Sequence, residues 1–456
     1  MYLSSFHAAD LKCFSDVALE FPANPDGTRS GWNVLLGVNG TGKSTLLQAM
    51  ALTLVGPTIG SELLRLADRD KWIRRGNAYA TLDADITHTP LDTVAGKPRK
   101  SPYKTRLHVS GTHPTEIEGI DIRQPTVFVS PKLRSSLEAG PYSAAPGWFS
   151  AGYGPFRRLT GGGQEEDQQL AGQVGPAGRH VSLFRESAAL SRCEPWLKLL
   201  HNTANDDALK KKDRKLAETQ LELVTELVDS LLPLGVRIGK ITSQHVSFVN
   251  SNGLSVELNQ LSDGFRSFLS LAIDLLRQII GGNVWREGRK TAGGFQVDTE
   301  GVVFIDEADA HLHPTWQREL GLRMCRVFPN IQFIVSTHSP FIAQAARPGG
   351  LFVVHTAADG QALVTRDEES VLGWTADQIL LSPLFGLSST RDPETDMLMR
   401  RRQELLGKRR LQPAEKRELT RLTAQLTARL SAPGDSLADS DMDQAMQSYL
   451  ARRGSA

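Results

Sequence analysis

The chain has 456 residues, 40% of them hydrophobic, with 52 Lys+Arg against 51 Asp+Glu for a net charge of +1. That length allows two or three domains with packed cores, and the charge balance excludes a polycationic coat, so any anion-binding surface has to come from local clustering. Cys13, Cys193 and Cys325 are too scattered for a disulfide framework or a zinc spacing. With no basic-then-apolar leader and no run of the ~20 apolar residues a bilayer requires, the expected location is the cytoplasm, with no membrane contact.

Residues 1–36 alternate short apolar segments with turns and read as a small antiparallel edge leading into a buried strand that ends Val34-Leu35-Leu36. Gly37-Val38-Asn39-Gly40-Thr41-Gly42-Lys43-Ser44 follows, and Thr45-Leu46-Leu47-Gln48-Ala49-Met50 continues as a helix. This is the pattern of a phosphate-binding loop. Glycines let successive N–H groups converge on one anion and the helix adds the positive end of its dipole, while Lys43 reaches the terminal phosphates and Ser44 offers a hydroxyl to Mg²⁺. ATP and Mg²⁺ are the expected cofactors, with Gly37, Asn39, Gly40, Thr41, Gly42, Lys43, Ser44 and Thr45 as the nucleotide-binding residues.

Ala78 to Ile86 alternates as a strand, and residues 88–124, rich in Pro, Gly and Thr, read as hairpins and loops. The apolar run Trp148 to Tyr153 closes on Gly154-Pro155-Phe156-Arg157-Arg158, and residues 161–178 form a glycine-rich polar loop. Helical spacing returns over Ser182–Leu200 and Ala208–Leu232, an arm far too short for the coiled coil of a chromosome-maintenance protein. Residues 236–258 again read as strands.

Leu261-Ser262-Asp263-Gly264-Phe265 opens an apolar helix that runs to about Ile280, followed by a glycine-rich loop over 281–294. Ser262 and Gly264 can present a hydroxyl and bare backbone N–H groups to an anion, with a plain N-cap at Ser262 or Asp263 as the structural alternative. One nucleotide cannot easily use both this site and the phosphate loop within one subunit, whereas a head-to-tail pair of subunits can share them. Val302-Val303-Phe304-Ile305 is a buried strand delivering Asp306 and Glu307 at its C-terminal end, where open α/β sheets bind ligands. Asp306 suits Mg²⁺, and Glu307 suits the base that polarises an attacking water. A helix around Trp316–Val327 and the strand Gln332–Ser336 come next, ending in Thr337-His338-Ser339-Pro340, with His338 as a donor to a terminal phosphate. Strand–helix–strand alternation of this kind argues a parallel α/β sheet. His311 and His313, two apart with no further ligands, read as structural rather than metal-binding.

Phe352 to His355 and Ala362 to Val364 form a final hairpin. Residues 391–430 hold 11 Lys/Arg and 6 Asp/Glu, with a break at Gln412-Pro413 and a leucine stripe at 419, 422, 426 and 430: a helical hairpin with a basic edge, suited equally to ordinary packing or to nucleic acid or a partner. Asp439 to Asp443 lacks the glycine and distal glutamate of a calcium loop and reads as a turn before a last helix. Ile305-Asp306-Glu307-Ala308-Asp309 mimics a DEAD-box motif, but nothing after His338 supplies the second set of helicase motifs, and no Toprim acid pattern is evident.

The order of the phosphate loop, Leu261-Ser262-Asp263-Gly264, Phe304-Ile305-Asp306-Glu307 and Ser336-Thr337-His338-Ser339 resembles the ABC-type ATPase heads of the RecF, SMC and overcoming-lysogenization-defect group. His311-Leu312-His313-Pro314, with Phe328-Pro329 before Gln332 to Pro340, resembles more closely the AAA-family ATPases of bacterial anti-phage systems. Gly373 to Leu380 through Phe385-Gly386 is similar to the tails of Septu-type ATPases, which work with a separate HNH nuclease. The resemblance covers about residues 1–60 and 145–345. It implies an α/β P-loop NTPase of ABC-ATPase head type, a mixed central sheet with flanking helices. The implied divisions are an N-terminal lobe over 1–160, a loop and helical insertion over 161–235, a C-terminal lobe over 236–365 and a helical extension over 366–456.

Carried over by residue, the resemblance implies Walker A at Gly37 to Ser44, a signature at Leu261 to Gly264 acting in trans, and Walker B at Asp306 with Glu307 as base. It further implies Asp309 in a dimer-contacting loop, His338 as the switch histidine, and Arg157 or Arg158 on phosphate. Asp263 and Phe265 depart from the glycine and glutamine of transporter signatures, and no clear glutamine loop is present. The implied function is an ATP-hydrolysing homodimer or higher oligomer that regulates a separate nuclease or toxin, HNH type favoured, or engages DNA, in anti-phage defence. A nucleotide-gated scaffold with little turnover, as in PARIS-like systems, and a RecF-like DNA-repair ATPase are the alternatives.

Overall fold

The computed structural model describes residues 1–66, 72–94, 101–111, 115–122, 126–143, 147–157, 173, 175–186, 193–232, 235–250, 252–282, 288–291, 294–358, 360–367 and 371–430. The chain forms two compact units, Met1–Ala376 and Asp377–Ala456.

The first unit opens with a hairpin of β1 (Tyr2–Leu11) and β2 (Phe14–Glu20), then β3 (Gly31–Leu36), which runs into the phosphate loop and α1 (Lys43–Leu66). β4 (Tyr79–Thr87), β5 (Tyr103–Ser110), the small hairpin β6 (Thr115–Ile117) and β7 (Ile120–Ile122), β8 (Val127–Val129), α2 (Pro131–Glu138) and β9 (Ser150–Tyr153) follow. The helical stretch comprises α3 (Val181–Phe184), α4 (Cys193–Ala204) and α5 (Lys211–Leu231). A meander of β10 (Arg237–Ile241), β11 (Val246–Val249) and β12 (Ser255–Glu257) leads to α6 (Asp263–Gly281), the hairpin β13 (Gly288–Thr291) and β14 (Gly294–Val297), and β15 (Gly301–Ile305). α7 (Pro314–Val327), β16 (Ile331–Thr337), α8 (Pro340–Ala343), β17 (Leu351–Thr356) and β18 (Ala362–Asp367) complete it; α9 (Ala376–Leu381), α10 (Pro393–Leu406) and α11 (Pro413–Arg429) come last.

Two sheets enclose α1. One is antiparallel, in the order β2-β1-β4-β5-β8; the other runs β18-β17-β3-β16-β15-β9 and is parallel except where β18 pairs with β17. The difference shows in the residues. β15 and β16 are buried at every position because layers cover both faces, whereas β4 alternates buried with half-buried positions because one face is packed on α1. The result is the mixed sheet with flanking helices of an ABC-type head.

α1 is long and apolar enough to cross a bilayer by length and composition, and 67% of that window is buried inside the fold. It is a core helix, bent at Gly56-Pro57. Gly56 has φ +80 and a Cβ there would meet the Tyr142 ring at 2.9 Å, while Pro57 lacks the N–H that a straight helix needs.

Two expectations differ from the structure. Residues 281–294, read as a loop, contain β13 and part of β14, and the helix expected over Ser182–Leu200 is two elements, α3 and α4. Residues 161–172, Arg158, Asp439 to Asp443 and the last helix lie outside the described residues.

Candidate nucleotide site

Strand register brings the chemistry to one edge of the parallel sheet. Leu36 pairs with Thr337, Val335 with Ile305, and Ile305 with Tyr153, so the chain leaves β3, β16, β15 and β9 at one level. Gly37, Asp306 and Gly154 follow β3, β15 and β9 directly, with His338 just past β16.

The phosphate loop is shaped by what its glycines touch. A Cβ on Gly37 would lie 2.2 Å from the Val354 carbonyl, and one on Gly42, at φ +101, would lie 2.6 Å from the Phe14 ring and 2.7 Å from Cys13 Sγ. Only glycine allows that approach. Lys43 Nζ donates to the carbonyls of Gly37 (2.7 Å) and Val38 (2.9 Å), and Thr41 Oγ1 donates to Val38 (2.9 Å), which fixes the curl of the loop. Lys43 is 6% exposed. Burial lowers its pKa, opposed by the field of Asp306, Glu307 and Asp309, so the ammonium faces the acid group. Ser44 is half-buried, Thr45 buried, and Asn39 and Gly40 exposed at the loop tip.

Across the edge, Asp306 is buried. Its N–H donates to Tyr153 (2.8 Å) and its carboxylate accepts from Ser336 Oγ, which itself accepts from the Glu307 N–H (2.8 Å). Ser336 thus locks both acids in place. Glu307 adopts φ +44, a left-handed conformation that L side chains rarely take. Asp309 is buried, accepts from Thr337 Oγ1, and lies 3.1 Å from Nε2 of the half-exposed His338. His313 caps α7 by accepting from the Thr315 N–H (3.3 Å), in keeping with its structural reading.

At the start of α6, Ser262 is exposed at the N-cap but makes no side-chain cap hydrogen bond, and the Asp263 carboxylate pairs with Arg266. The hydroxyl is therefore left for another partner. Gly264 is buried against the loop after Walker B: a Cβ there would lie 2.2 Å from the His311 carbonyl, and His311 itself has φ +63. Phe265, the departure from the transporter pattern, packs its ring on Trp316 of α7 at 4.1 Å between centroids.

Arg157, for which a phosphate contact is expected, is held by protein partners in this structure. It is 5% exposed, with Nε donating to Ser267 Oγ of α6 (3.2 Å), Nη1 to the Asp306 carbonyl (3.4 Å) and Nη2 to the Glu307 carbonyl (2.9 Å). Burial pushes its pKa down to about 10. The guanidinium is a strut between α6 and the two acids. Nearby, Tyr153 donates to Asp274 Oδ2 (3.2 Å) and Asp274 is ion-paired with Arg277 (2.6 Å), all buried, which ties β9 to α6 a second time.

Some site residues escaped the sequence reading. Cys13 and Phe14 back the phosphate loop from the first hairpin, while the neighbouring Lys12 Nζ lies 4.4 Å above the Trp72 ring and Arg74 donates to the Cys13 carbonyl (3.0 Å). The signal was a lysine-aromatic turn between two strands, unremarked because Trp72 and Arg74 lie some sixty residues on.

Residues 178–343 match the family described as "AAA domain, putative AbiEii toxin, Type IV TA system", a span that holds the signature segment, both acids and His338. Over 451 residues the chain is 26% identical to Septu protein PtuA of Bacillus mycoides (strain KBAB4), covering 99% of this chain and 54% of that one. The chain is similar to Septu PtuA along nearly its whole length. It spans about half the length of that relative. It is also 40% identical over 92 residues to the Retron Ec83 probable ATPase of Escherichia coli, covering 20% of this chain and 16% of that one. Among solved structures, an SMC head bound to the C-winged helix domain of ScpA is 14% identical over 80% of this chain and 98% of that chain, with a TM-score of 0.47, a likeness too loose to carry an argument.

Proposed function

We propose that the chain binds and hydrolyses ATP with Mg²⁺, that two copies close head to tail around the nucleotides, and that nucleotide state regulates a separate effector nuclease of HNH type in anti-phage defence. The observation that carries the reading is the meeting, on one sheet edge, of the glycine-shaped loop with Lys43, the Ser336-locked pair Asp306–Glu307 and the Asp309–His338 pair. The defence role rests on the Septu and retron relatives.

The residues present fit the cofactors. Gly37 and Gly42 let the loop pack directly on the Val354 carbonyl, the Phe14 ring and Cys13, which holds its curl, and Ser44 and Asp306 supply the hydroxyl and carboxylate for Mg²⁺, which when bound neutralises phosphate charge. Lys43 exchanges its loop carbonyls for phosphate oxygens. Glu307 orients the attacking water and accepts its proton, and His338 donates to the terminal phosphate. Ser262 and Gly264 serve the site of the opposite copy, where the uncapped hydroxyl finds its partner.

The test is a pair of variants. Glu307→Gln is expected to keep ATP affinity and lose turnover by about 10²-fold or more, and Lys43→Ala to lose ATP binding by equilibrium dialysis. Unchanged hydrolysis in the first, or normal binding in the second, removes the residue from its role. The engagement of His338 by Asp309 favours a second reading, a nucleotide-retaining scaffold with slow turnover; ATP retained through many minutes without phosphate release in the native chain selects it.

A further inference from the structure

The second compact unit carries a charged surface that the nucleotide site does not use. All six carboxylates between residues 391 and 430 are taken. Asp396 pairs with Arg400 (2.8 Å), Glu404 with Arg401 (3.1 Å), Glu415 with Lys408 (2.6 Å), and Glu394 and Asp392 with Arg429 (2.6 and 3.8 Å). Glu418 is closed on both oxygens by Arg401, at 2.9 and 3.1 Å. Arg409, Arg410, Lys416, Arg417 and Arg421 remain, all exposed and, among the described residues, in no ion pair or hydrogen bond.

These five fall within thirteen residues of sequence, from Arg409 to Arg421. Arg409 and Arg410 lie in the turn before α11, Lys416 and Arg417 in its first turns, and Arg421 one turn beyond Arg417, so that the helical cations span roughly 8 Å of axis. The solvent face continues through Thr420, Ala424, Thr427 and Ala428, exposed, short and uncharged, while Leu422 and Leu426 are buried on the other side. Among the described residues, no carboxylate stands on that face. Glu415 stands in the first turn and accepts from the Gln412 N–H, but Lys416 and Arg417 lie beside it at the positive end of the dipole, and Arg417 and Arg421 repel at i, i+4. A packed helix with an ordinary charged face would place acids there; a row of negative charges from outside removes both penalties.

We propose that this strip docks the phosphodiester backbone of nucleic acid without reading sequence. A duplex carries one charge per about 1.7 Å of axis, so a strip of this length faces several phosphates, and the small threonine and alanine side chains let the backbone come close. Neither feature distinguishes DNA from RNA, and both are probes in the test.

The experiment titrates the full-length chain against a labelled 30-base-pair DNA duplex and a single-stranded RNA of the same length, from 50 to 200 mM NaCl. Affinity for one or both is expected to fall with salt at a log–log slope of about −4 for the duplex, and Arg417→Ala/Arg421→Ala to reduce that slope by about two and weaken binding alike for unrelated sequences. Arg409→Ala/Arg410→Ala is expected to do the same, and Arg417→Lys/Arg421→Lys to restore the slope. ATP binding and far-UV dichroism, measured on each variant, keep failure of the nucleotide site or of folding separate. No binding by the native chain at 50 mM salt, or slopes unchanged in both alanine pairs, overturns the proposal. Equal retention on polyglutamate also overturns it, assigning the strip to an acidic protein.

Discussion

Glu307 sits at the one place in the acid pair where the backbone is strained, φ +44, with its N–H held by Ser336 Oγ. Such a conformation costs on the order of 1 kcal/mol for an L residue and persists because the surroundings fix it. Glu307→Gly is therefore expected to raise the melting temperature while abolishing turnover; a lower melting temperature would show that the side chain itself stabilises the fold. At Gly264 the geometry predicts the reverse. A Cβ there meets the His311 carbonyl at 2.2 Å, so Gly264→Ala must push α6 off the loop after Walker B, lowering turnover while ATP still binds Lys43, as nucleotide binding and phosphate release measured together will show. The places of Asp306, Glu307 and His338 at the ends of β15 and β16 were legible in the sequence because these polar residues close unbroken apolar runs. The use of Arg157 was not, because its partners are a serine hydroxyl and two backbone carbonyls about 110 and 150 residues away, which no residue type announces.

Among elements, α6 is the one that joins the parts. It reaches the acids through Arg157 and β9 through Asp274, and packs Phe265 on α7. Arg157→Met is expected to cut kcat with little change in KM for ATP, because the acids lose their strut while the phosphate loop is untouched; a rise in KM with kcat preserved would instead make Arg157 a phosphate ligand. The segment before α3 carries a pH dependence of its own. His180 is fully buried, with Nδ1 2.7 Å from the Pro176 carbonyl, and burial pushes its pKa down to about 3. Below about pH 6.5 the unfolded chain takes up a proton that the folded chain refuses, so stability present at neutral pH is lost as pH falls, by about 2 kcal/mol at pH 5. Urea unfolding at pH 7.5 and 5.0 measures it, and His180→Phe is expected to flatten that part of the slope. β15 and β16 were readable as unbroken apolar runs, as parallel strands covered on both faces must be. The β13–β14 hairpin was hidden in glycines, which mark turns and tight strands alike.

At the scale of the molecule, two sheets hold one kinked helix, and the edge they present holds a phosphate loop, two locked acids and a histidine. The exposed hydroxyl of Ser262, which makes no cap hydrogen bond at the start of α6, is the feature on which the proposed second copy rests. The fold was legible because loop, acids and histidine follow strands that end on one edge; the proposed pairing of two copies rests on resemblance and on Ser262. Mixing tests it most directly. Lys43→Ala loses the loop and Ser262→Arg blocks the signature, so each is expected to be inactive alone. Mixed in equal amounts, they are expected to recover roughly a quarter of the native ATPase rate, because half of the two-fold pairs would hold one intact composite site. No recovery on mixing, or full activity in Ser262→Arg alone, would contradict a site completed by a second copy.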